Sequence, residues 1–131
     1  MKLLLDTHIW IWSLIEPARL TDEVRAALDS DDHELWLSPI STWEALMLTE
    51  RGRVSADGEP QALVSRMLKA GPFREAPLTH AVAQESRRLS FEHSDPADRF
   101  LAATAVVYDL TLVTQDVRLL GGTGYRTLPA R

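Results

Sequence analysis

Four acidic residues of this chain stand where predicted strands end or predicted helices begin. Asp6 follows the apolar residues 3–5, Asp116 follows the strand-like segment 112–115, and Glu44 and Asp98 lie near the starts of two helices. Carboxylates gathered in one place repel one another and raise one another's pKa values unless a cation lies between them. A hard divalent cation takes oxygen ligands, so this pattern indicates metal-dependent chemistry on phosphate.

Each of these acids also has a purely structural interpretation as part of a helix cap. Asp6 and Asp116 could accept hydrogen bonds from the first amides of the helices that follow them. Ser41 and Glu44 have the spacing of a capping box, with Ser41 as the cap. The functional interpretation depends on the coincidence that all four positions are acidic and are expected at one edge of the sheet.

Four further polar residues lie beside the acids and could orient carboxylates or metal-bound waters. They are His8, Ser41, Asp95 and Thr114. Asp95 has a competing role, because it precedes Pro96 and is suited to cap a helix there, which leaves Asp98 for another role. The remaining histidines have no metal-ligand spacing on a helix face, so no zinc site is expected.

Length and composition indicate one ordinary globular domain over residues 1–131. Hydrophobic residues make up 45% and charged residues 25% of the chain, which is enough apolar material for a core. The absence of Cys excludes a disulfide scaffold, a thiolate zinc site and a Cys nucleophile, and it suits a cytoplasmic protein. The apolar run before Asp6 is too short for a signal peptide or a membrane span, so no membrane association is expected.

The charge of the chain indicates which nucleic-acid partners it could bind. The formal net charge of -5 argues against a nonspecific nucleic-acid binder. However, Lys occurs only at positions 2 and 69, so nearly all basic residues are arginines, which suit bidentate contacts to phosphate. Most of these arginines are expected on solvated helix faces. An acidic pocket with arginines at its rim would still accept RNA once metal filled the pocket.

Strands and helices are predicted to alternate along the chain. Strands are expected at residues 2–6, 34–38, 73–78, 110–114 and 125–128, and helices at 9–15, 22–28, 41–51, 60–69, 80–89 and 96–108, with a helical turn at 117–120. This alternation predicts an α/β fold with a parallel sheet covered on both faces. In such sheets the functional crevice lies beyond the carboxyl ends of the strands. Trp10 and Trp12 cannot share one helix face, so one of them is expected to be exposed and available for a subunit contact.

Four segments of the chain together resemble the signature segments of PIN-domain ribonucleases, in the order that the family has. They are Leu4-Leu5-Asp6-Thr7-His8, Ser41-x-x-Glu44, His93-x-Asp95-Pro96-x-Asp98-Arg99 and Leu112-Val113-Thr114-x-Asp116. Within that family they are similar to the VapC-type toxins of type II toxin–antitoxin pairs. The resemblance extends from residue 2 to about residue 128. Ser94 departs from the pattern, because many relatives have a basic residue there.

The resemblance implies a PIN-like three-layer α/β/α fold and an endoribonuclease that hydrolyses RNA phosphodiester bonds. It implies that Asp6, Glu44, Asp98 and Asp116 bind Mg²⁺ or Mn²⁺. Asp6 and Asp116 are the first candidates for direct ligands, since Mg²⁺ uses few carboxylates, and Glu44 and Asp98 would either bind metal or orient the attacking water. It also implies a homodimer and a VapB-type antitoxin partner.

Three other classes of protein fit the sequence less well. A receiver-like signalling domain also has an acidic Mg²⁺ pocket, but it would normally have paired acids early in the chain and a Lys near the last strand. A phosphotransferase with an N-terminal Asp nucleophile requires a second Asp two residues later, where this chain has His8. A noncatalytic interaction module has no need of all four acids.

Overall fold

Five strands alternate with seven α-helices in the computed structural model, which describes residues 1–52, 58–90 and 95–130. The strands are β1 (Lys2–Leu5), β2 (Glu34–Leu37), β3 (Phe73–Glu75), β4 (Thr111–Thr114) and β5 (Arg126–Pro129). The helices are α1 (Thr7–Ile15), α2 (Asp22–Asp29), α3 (Pro39–Glu50), α4 (Pro60–Lys69), α5 (His80–Arg88), α6 (Pro96–Val107) and α7 (Val117–Leu120). A short 3₁₀ turn spans Pro17–Arg19. The predicted segment 91–94, with His93 and Ser94, lies outside the described residues, as does Arg53.

All five strands form one parallel sheet in the order β3-β2-β1-β4-β5. In the register of the central pairs, Leu4 lies beside Trp36 of β2 on one side and Leu112 of β4 on the other. The chain builds outward from β1 in one direction through β2 and β3, and then in the other direction through β4 and β5. The strand order therefore reverses between β1 and β4.

The hydrophobic core has two parts, one on each face of the sheet. Leu3 and Leu5 pack in a cluster with Trp10, whereas Leu4 packs in a second cluster with Leu101 of α6. This division follows from the strand period of two, because successive side chains point to opposite faces. A central parallel sheet with helices on both faces confirms the predicted three-layer α/β/α architecture.

The starts of α2 and α5 agree with the predicted helix bounds, and a Thr side chain caps each of them. Thr21 accepts a hydrogen bond from Val24 N at 3.2 Å, and Thr79 accepts one from Val82 N at 3.3 Å. α3 differs, because it begins at Pro39 rather than at the predicted Ser41.

The cap of α3 is Ser38, whose Oγ accepts a hydrogen bond from Ile40 N at 3.1 Å. The following Pro39 suits the first helical position. The capping-box interpretation of Ser41 and Glu44 is therefore wrong, since both residues lie inside the helix.

The tryptophans of α1 also differ from expectation, because both are buried. Trp10 is fully buried and Trp12 is 7% exposed, with the guanidinium of Arg19 lying 5.1 Å from the centre of the Trp12 ring. α1 is covered on most of its circumference, so residues two apart are buried on different sides. The exposed tryptophan is Trp43 of α3, at 55%. None of the helices among the described residues is both long and apolar enough to cross a membrane.

Candidate active site

The candidate site lies where the strand order reverses, beyond the carboxyl ends of β1 and β4. Asp6 directly follows β1, and its backbone N donates to Val113 O at 3.0 Å, so the ladder between the two strands extends to Asp6. Asp116 lies two residues after the end of β4. In open parallel sheets this reversal point is where a crevice forms and ligands bind.

Thr114 links these two acids through one hydroxyl group. Its Oγ1 donates to Asp6 Oδ2 at 2.7 Å and accepts from Asp116 N at 3.1 Å. Asp6 Oδ1 accepts from Thr7 N at 2.7 Å. Both carboxylate oxygens of the buried Asp6 are thereby held, which fixes the orientation of the group. The structure thus brings the predicted supporting residue Thr114 into direct contact with Asp6.

Thr7 joins the acid of α3 to the same crevice. Its Oγ1 lies 2.6 Å from Glu44 Oε1 and 2.9 Å from Ser41 Oγ. Ser41 and Glu44 are three residues apart and so share a helix face. A hydroxyl has one proton and two lone pairs, so Thr7 can donate to Glu44 while it accepts from Ser41. Sequence reasoning missed Thr7 as a site residue, although it directly follows Asp6 in the first signature segment.

Two further charged residues line the crevice, Asp98 from α6 and Arg118 from α7. Asp98 lies in the first turn of α6 and is buried. The Nη2 atom of Arg118 lies 3.7 Å from Asp98 Oδ2 and 3.0 Å from Asp116 Oδ2. Arg118 was one of many arginines in the sequence, and its position in the crevice was not predicted. The signal for it was its place two residues after Asp116.

Burial and mutual repulsion perturb the acids of the crevice. Burial is the main cause that raises the pKa of Asp6, and the hydrogen bond from Thr114 partly opposes it. Burial also raises the pKa of Glu44, with the hydrogen bond from Thr7 opposing it and the negative charges of Asp6 and Asp95 adding to it.

Asp98 has a strongly raised pKa. Burial, followed by the charges of Asp95, Asp6 and Asp116, raises the pKa of Asp98 to about 7, although Arg118 lowers it. A carboxyl group that titrates near neutral pH is typical of sites where charge is gathered for a function.

The remaining predicted residues, Asp95 and His8, lie at the margin of the site. Asp95 caps α6, since its Oδ1 accepts from Ala97 N at 3.0 Å, and its charge nevertheless acts on Asp98 and Glu44. His8 is exposed, and its ring centre lies 5.9 Å from that of Trp12. It still lies close enough to lower the pKa of Asp6.

The donor chemistry of the crevice fits a hard divalent cation. Its side chains offer carboxylate and hydroxyl oxygens, which Mg²⁺ and Mn²⁺ prefer. Across residues 1–52, 58–90 and 95–130, no group of three or more His, Cys, Asp or Glu side chains has the arrangement of a ready metal site. Mg²⁺ needs only one or two carboxylates, because it keeps several waters, so Asp6 and Asp116 could suffice. A cation would also relieve the repulsion that raises the pKa values of Asp6 and Asp98.

Comparison with known proteins identifies the family. The family model described as PIN domain matches residues 3–120. This chain is a member of the PIN-domain family. It is 34% identical over 117 residues to Ribonuclease VapC22 of Mycobacterium tuberculosis (strain ATCC 25618 / H37Rv), and the match covers 88% of each chain. The resemblance seen in the four signature segments is confirmed.

Two solved structures share the fold of this chain. VapBC2 from Rickettsia felis, bound to a DNA fragment from its promoter, aligns with a TM-score of 0.76, 13% identity and full coverage of both chains. DNA-bound VapBC from Salmonella typhimurium aligns with a TM-score of 0.73, 18% identity and 98% coverage of both. At these identities the likeness concerns the fold.

Proposed function

We propose that this PIN-domain protein is a metal-dependent endoribonuclease of the VapC toxin type, which hydrolyses RNA phosphodiester bonds. The observation that carries the proposal is the gathering of Asp6, Glu44, Asp98 and Asp116 around one crevice, where burial and the negative charges of neighbouring acids raise the pKa values of Asp6, Glu44 and Asp98. The identity to a relative named as a ribonuclease supports the same activity.

Asp6 and Asp116 would hold Mg²⁺, with Mn²⁺ as a substitute, and Glu44 and Asp98 would either join them or orient the attacking water. A bound divalent cation lowers the pKa of its water and neutralises developing charge on the phosphate. The chain's own contribution is orientation. Thr114 holds one oxygen of Asp6, and Thr7 holds one oxygen of Glu44.

Glu44 is suited to accept a proton from the attacking water. Its pKa is raised by burial and by Asp6 and Asp95, and a carboxylate becomes a better base as its pKa approaches the working pH. Its position on rigid α3, fixed by the bond to Thr7, would hold it in one orientation.

The alternatives of a signalling receiver and a noncatalytic module are not favoured. A receiver would need a Lys at the crevice, but Lys2 begins β1 at the opposite end of the sheet and Lys69 ends α4. A module without catalysis would not gain from acids that repel one another.

The proposed protein partner is a small VapB-type antitoxin that neutralises the enzyme. Similar folds occur in structures described as toxin–antitoxin complexes, among them VapBC-5 of Mycobacterium tuberculosis. An acidic crevice would accept an Arg or Lys from such a partner in charge-assisted hydrogen bonds. Expression of the protein alone should arrest growth of the host, and co-expression with the antitoxin should restore it.

The decisive experiment is cleavage of RNA with Mg²⁺, with Mn²⁺ and with chelator, for the wild type and for Asp6→Asn and Asp116→Asn. Asn caps helices nearly as well as Asp, so both variants should fold but lose cleavage and lose the rise in melting temperature on adding Mg²⁺. Asp29→Asn, at an exposed acid at the end of α2, is the matched control and should behave as wild type. Full cleavage by both crevice variants would remove Asp6 and Asp116 from the mechanism.

A further inference from the structure

Arg118 lies against the acids of the crevice in a fork-like arrangement. Its Nε lies 3.3 Å from Asp116 Oδ1, and its Nη2 lies 3.0 Å from Asp116 Oδ2. The same Nη2 lies 3.7 Å from Asp98 Oδ2, which is an ion-pair distance rather than a hydrogen bond. One guanidinium group therefore bridges two carboxyl groups that come from different elements.

The backbone of α7 keeps this side chain at the crevice. Arg118 N donates to Asp116 Oδ1 at 2.9 Å, so the main chain and the side chain of Arg118 bind the same carboxylate. Leu119, the next residue, is fully buried, and its carbonyl accepts from Tyr125 Oη at 2.6 Å. The buried side chain of Leu119 and the hydrogen bond from Tyr125 therefore both hold α7, the helix that carries Arg118, in place.

The environment of this ion pair differs from that of an ordinary surface pair. The side chains of Asp98 and Asp116 are only 10% and 22% exposed, whereas that of Arg118 is 54% exposed. By contrast, Arg25 on α2 pairs with Asp22, whose side chain is 94% exposed. Arg118 thus places a positive charge beside two largely buried acids, Asp98 and Asp116. Because its own side chain is half exposed, the guanidinium group can move into solvent at little cost in free energy.

We propose that Arg118 is an internal counter-ion, which holds Asp98 and Asp116 together in the metal-free protein and competes with the divalent cation for them. The inference rests on the proposed function, because it takes these two carboxyl groups as part of the metal site. Both carboxylate oxygens of Asp116 are engaged by Arg118. Metal binding therefore requires the guanidinium group to move away or share its partners, which lowers the affinity for metal.

Competition between Arg118 and a metal ion predicts opposite effects on stability and on metal affinity when Arg118 is removed. A guanidinium group keeps its charge at all ordinary pH values, so Arg118 acts whenever the metal is absent. Removing it should take one positive charge away from Asp98 and Asp116 in the metal-free protein, which destabilises that state. The same removal should strengthen metal binding, because the guanidinium group of Arg118 no longer has to be displaced. A purely structural ion pair would lower stability equally with and without metal.

The test measures Mn²⁺ affinity by titration calorimetry and melting temperature with and without saturating Mn²⁺, in the full-length protein. Arg118→Gln should bind Mn²⁺ roughly fivefold more tightly, the upper range for a half-exposed ion pair. Its melting temperature should fall below wild type in chelator, and the difference should shrink or reverse with Mn²⁺. Arg118→Lys, which keeps the charge but loses the fork, should lie between the two. Arg25→Gln is the matched control and should leave the affinity unchanged.

Two results would overturn the inference, and they are distinguishable. If Arg118→Gln binds Mn²⁺ with unchanged or weaker affinity while wild type binds it saturably, Arg118 does not compete and the proposed nuclease function stands. If wild type shows no saturable Mn²⁺ binding at all, both the inference and the proposed function are wrong. Should Arg118→Gln fail to fold, Arg118→Lys gives the same comparison, because an unchanged affinity in that variant also contradicts the competition.

Discussion

Asp6 and Asp116 show that capping a helix and serving a polar site are compatible roles for one carboxylate. Asp6 uses Oδ1 for the amide at the start of α1 and Oδ2 for Thr114. Asp116 caps α7 and at the same time pairs with Arg118. The sequence presented these roles as alternatives, because a residue pattern does not assign the two oxygens of a carboxylate separately.

Asp98 should make the metal-free protein less stable as pH rises. Its folded-state pKa of about 7 lies above the ordinary value of 3.8, so the folded protein holds the proton more tightly than the unfolded chain does. The stability from this proton is fully present below about pH 4 and is lost as pH rises through about 7. We expect Asp98→Asn to be more stable than wild type at pH 8, by on the order of 2–4 kcal/mol.

Denaturant unfolding in chelator between pH 5 and pH 8 measures this effect. The slope of stability against pH should be smaller in Asp98→Asn, while the residual slope comes from Asp6 and Glu44, whose pKa values are also raised. The control Asp29→Asn should keep the wild-type slope. Identical slopes for Asp98→Asn and wild type would mean that Asp98 does not titrate in this range.

Thr7 should matter for turnover, because its hydroxyl holds Glu44. Thr7→Val keeps the shape but removes the donor, and we expect RNA cleavage to fall by roughly 10–100-fold, as when the supporting partner of a metal-site ligand is lost. The loss should appear in kcat, with KM little changed. Thr7→Ser retains the hydroxyl and should retain most activity. Wild-type kcat in Thr7→Val would contradict a role in orienting Glu44.

The sequence predicted the acids of the site, but it did not predict Thr7 and Arg118, the residues that hydrogen-bond to them or pair with them. Asp6, Glu44, Asp98 and Asp116 are visible because four acids follow predicted strands or lie near predicted helix starts, at positions expected at one edge of the sheet. Thr7 and Arg118 carry no comparable signal, since a Thr next to an acid and an Arg on a helix are common. Their roles depend on distances between elements, which only the folded chain defines.

At the scale of elements, helix caps set most boundaries, and α3 shows where that reasoning fails. Ser38, Pro39 and Ser41 all suit a helix start, and the sequence alone favoured the last because Glu44 completed a capping box with it. The extended backbone of Ser38 and the ring of Pro39 begin the helix earlier. In the folded chain Ser41 and Glu44 both lie inside the helix and contact Thr7.

Asp95 allows the capping role to be separated from a metal-binding role at the start of α6. Asp95→Asn keeps the cap, so stability should be preserved, and RNA cleavage should remain near wild type. Asp95→Ala loses the bond to Ala97 N and should cost about 1 kcal/mol of folding free energy. Thermal unfolding and an RNA cleavage assay on both variants provide the measurement. Loss of cleavage in the Asn variant would instead make Asp95 a metal-site residue.

At the scale of the whole molecule, alternating strands and helices predicted the parallel sheet, and the signature segments predicted the family. The exposure of individual side chains was harder to predict. Trp10 and Trp12 are both covered, because α1 is enclosed by the sheet, by neighbouring helices and by Arg19. The predicted exposure of one of these residues for a subunit contact is therefore wrong.

A homodimer remains the expected assembly, now with different apolar residues available for it. Trp43 and Val117 are 55% and 78% exposed, and each adjoins an acid of the crevice. Sedimentation equilibrium at tens of micromolar, roughly where a weak specific dimer forms, should give twice the chain mass of 14.7 kDa. The dimer should weaken in Trp43→Ser relative to Leu78→Ser, an exposed apolar residue between β3 and α5. A single species of 14.7 kDa would rule the dimer out at these concentrations.

The contact between Asp6 and Thr114 joins positions 108 residues apart, which has a consequence for the protein during its synthesis. A chain that emerges from the ribosome presents Asp6 and Glu44 early, and β1 can pair with β2 at that stage. The other edge of β1 stays open until residues 111–114 are made, because β4 is its second neighbour. Under the proposed function, translation of nearly the whole chain precedes any cleavage, so a nascent toxin cannot attack RNA while its own ribosome is still at work on the early codons.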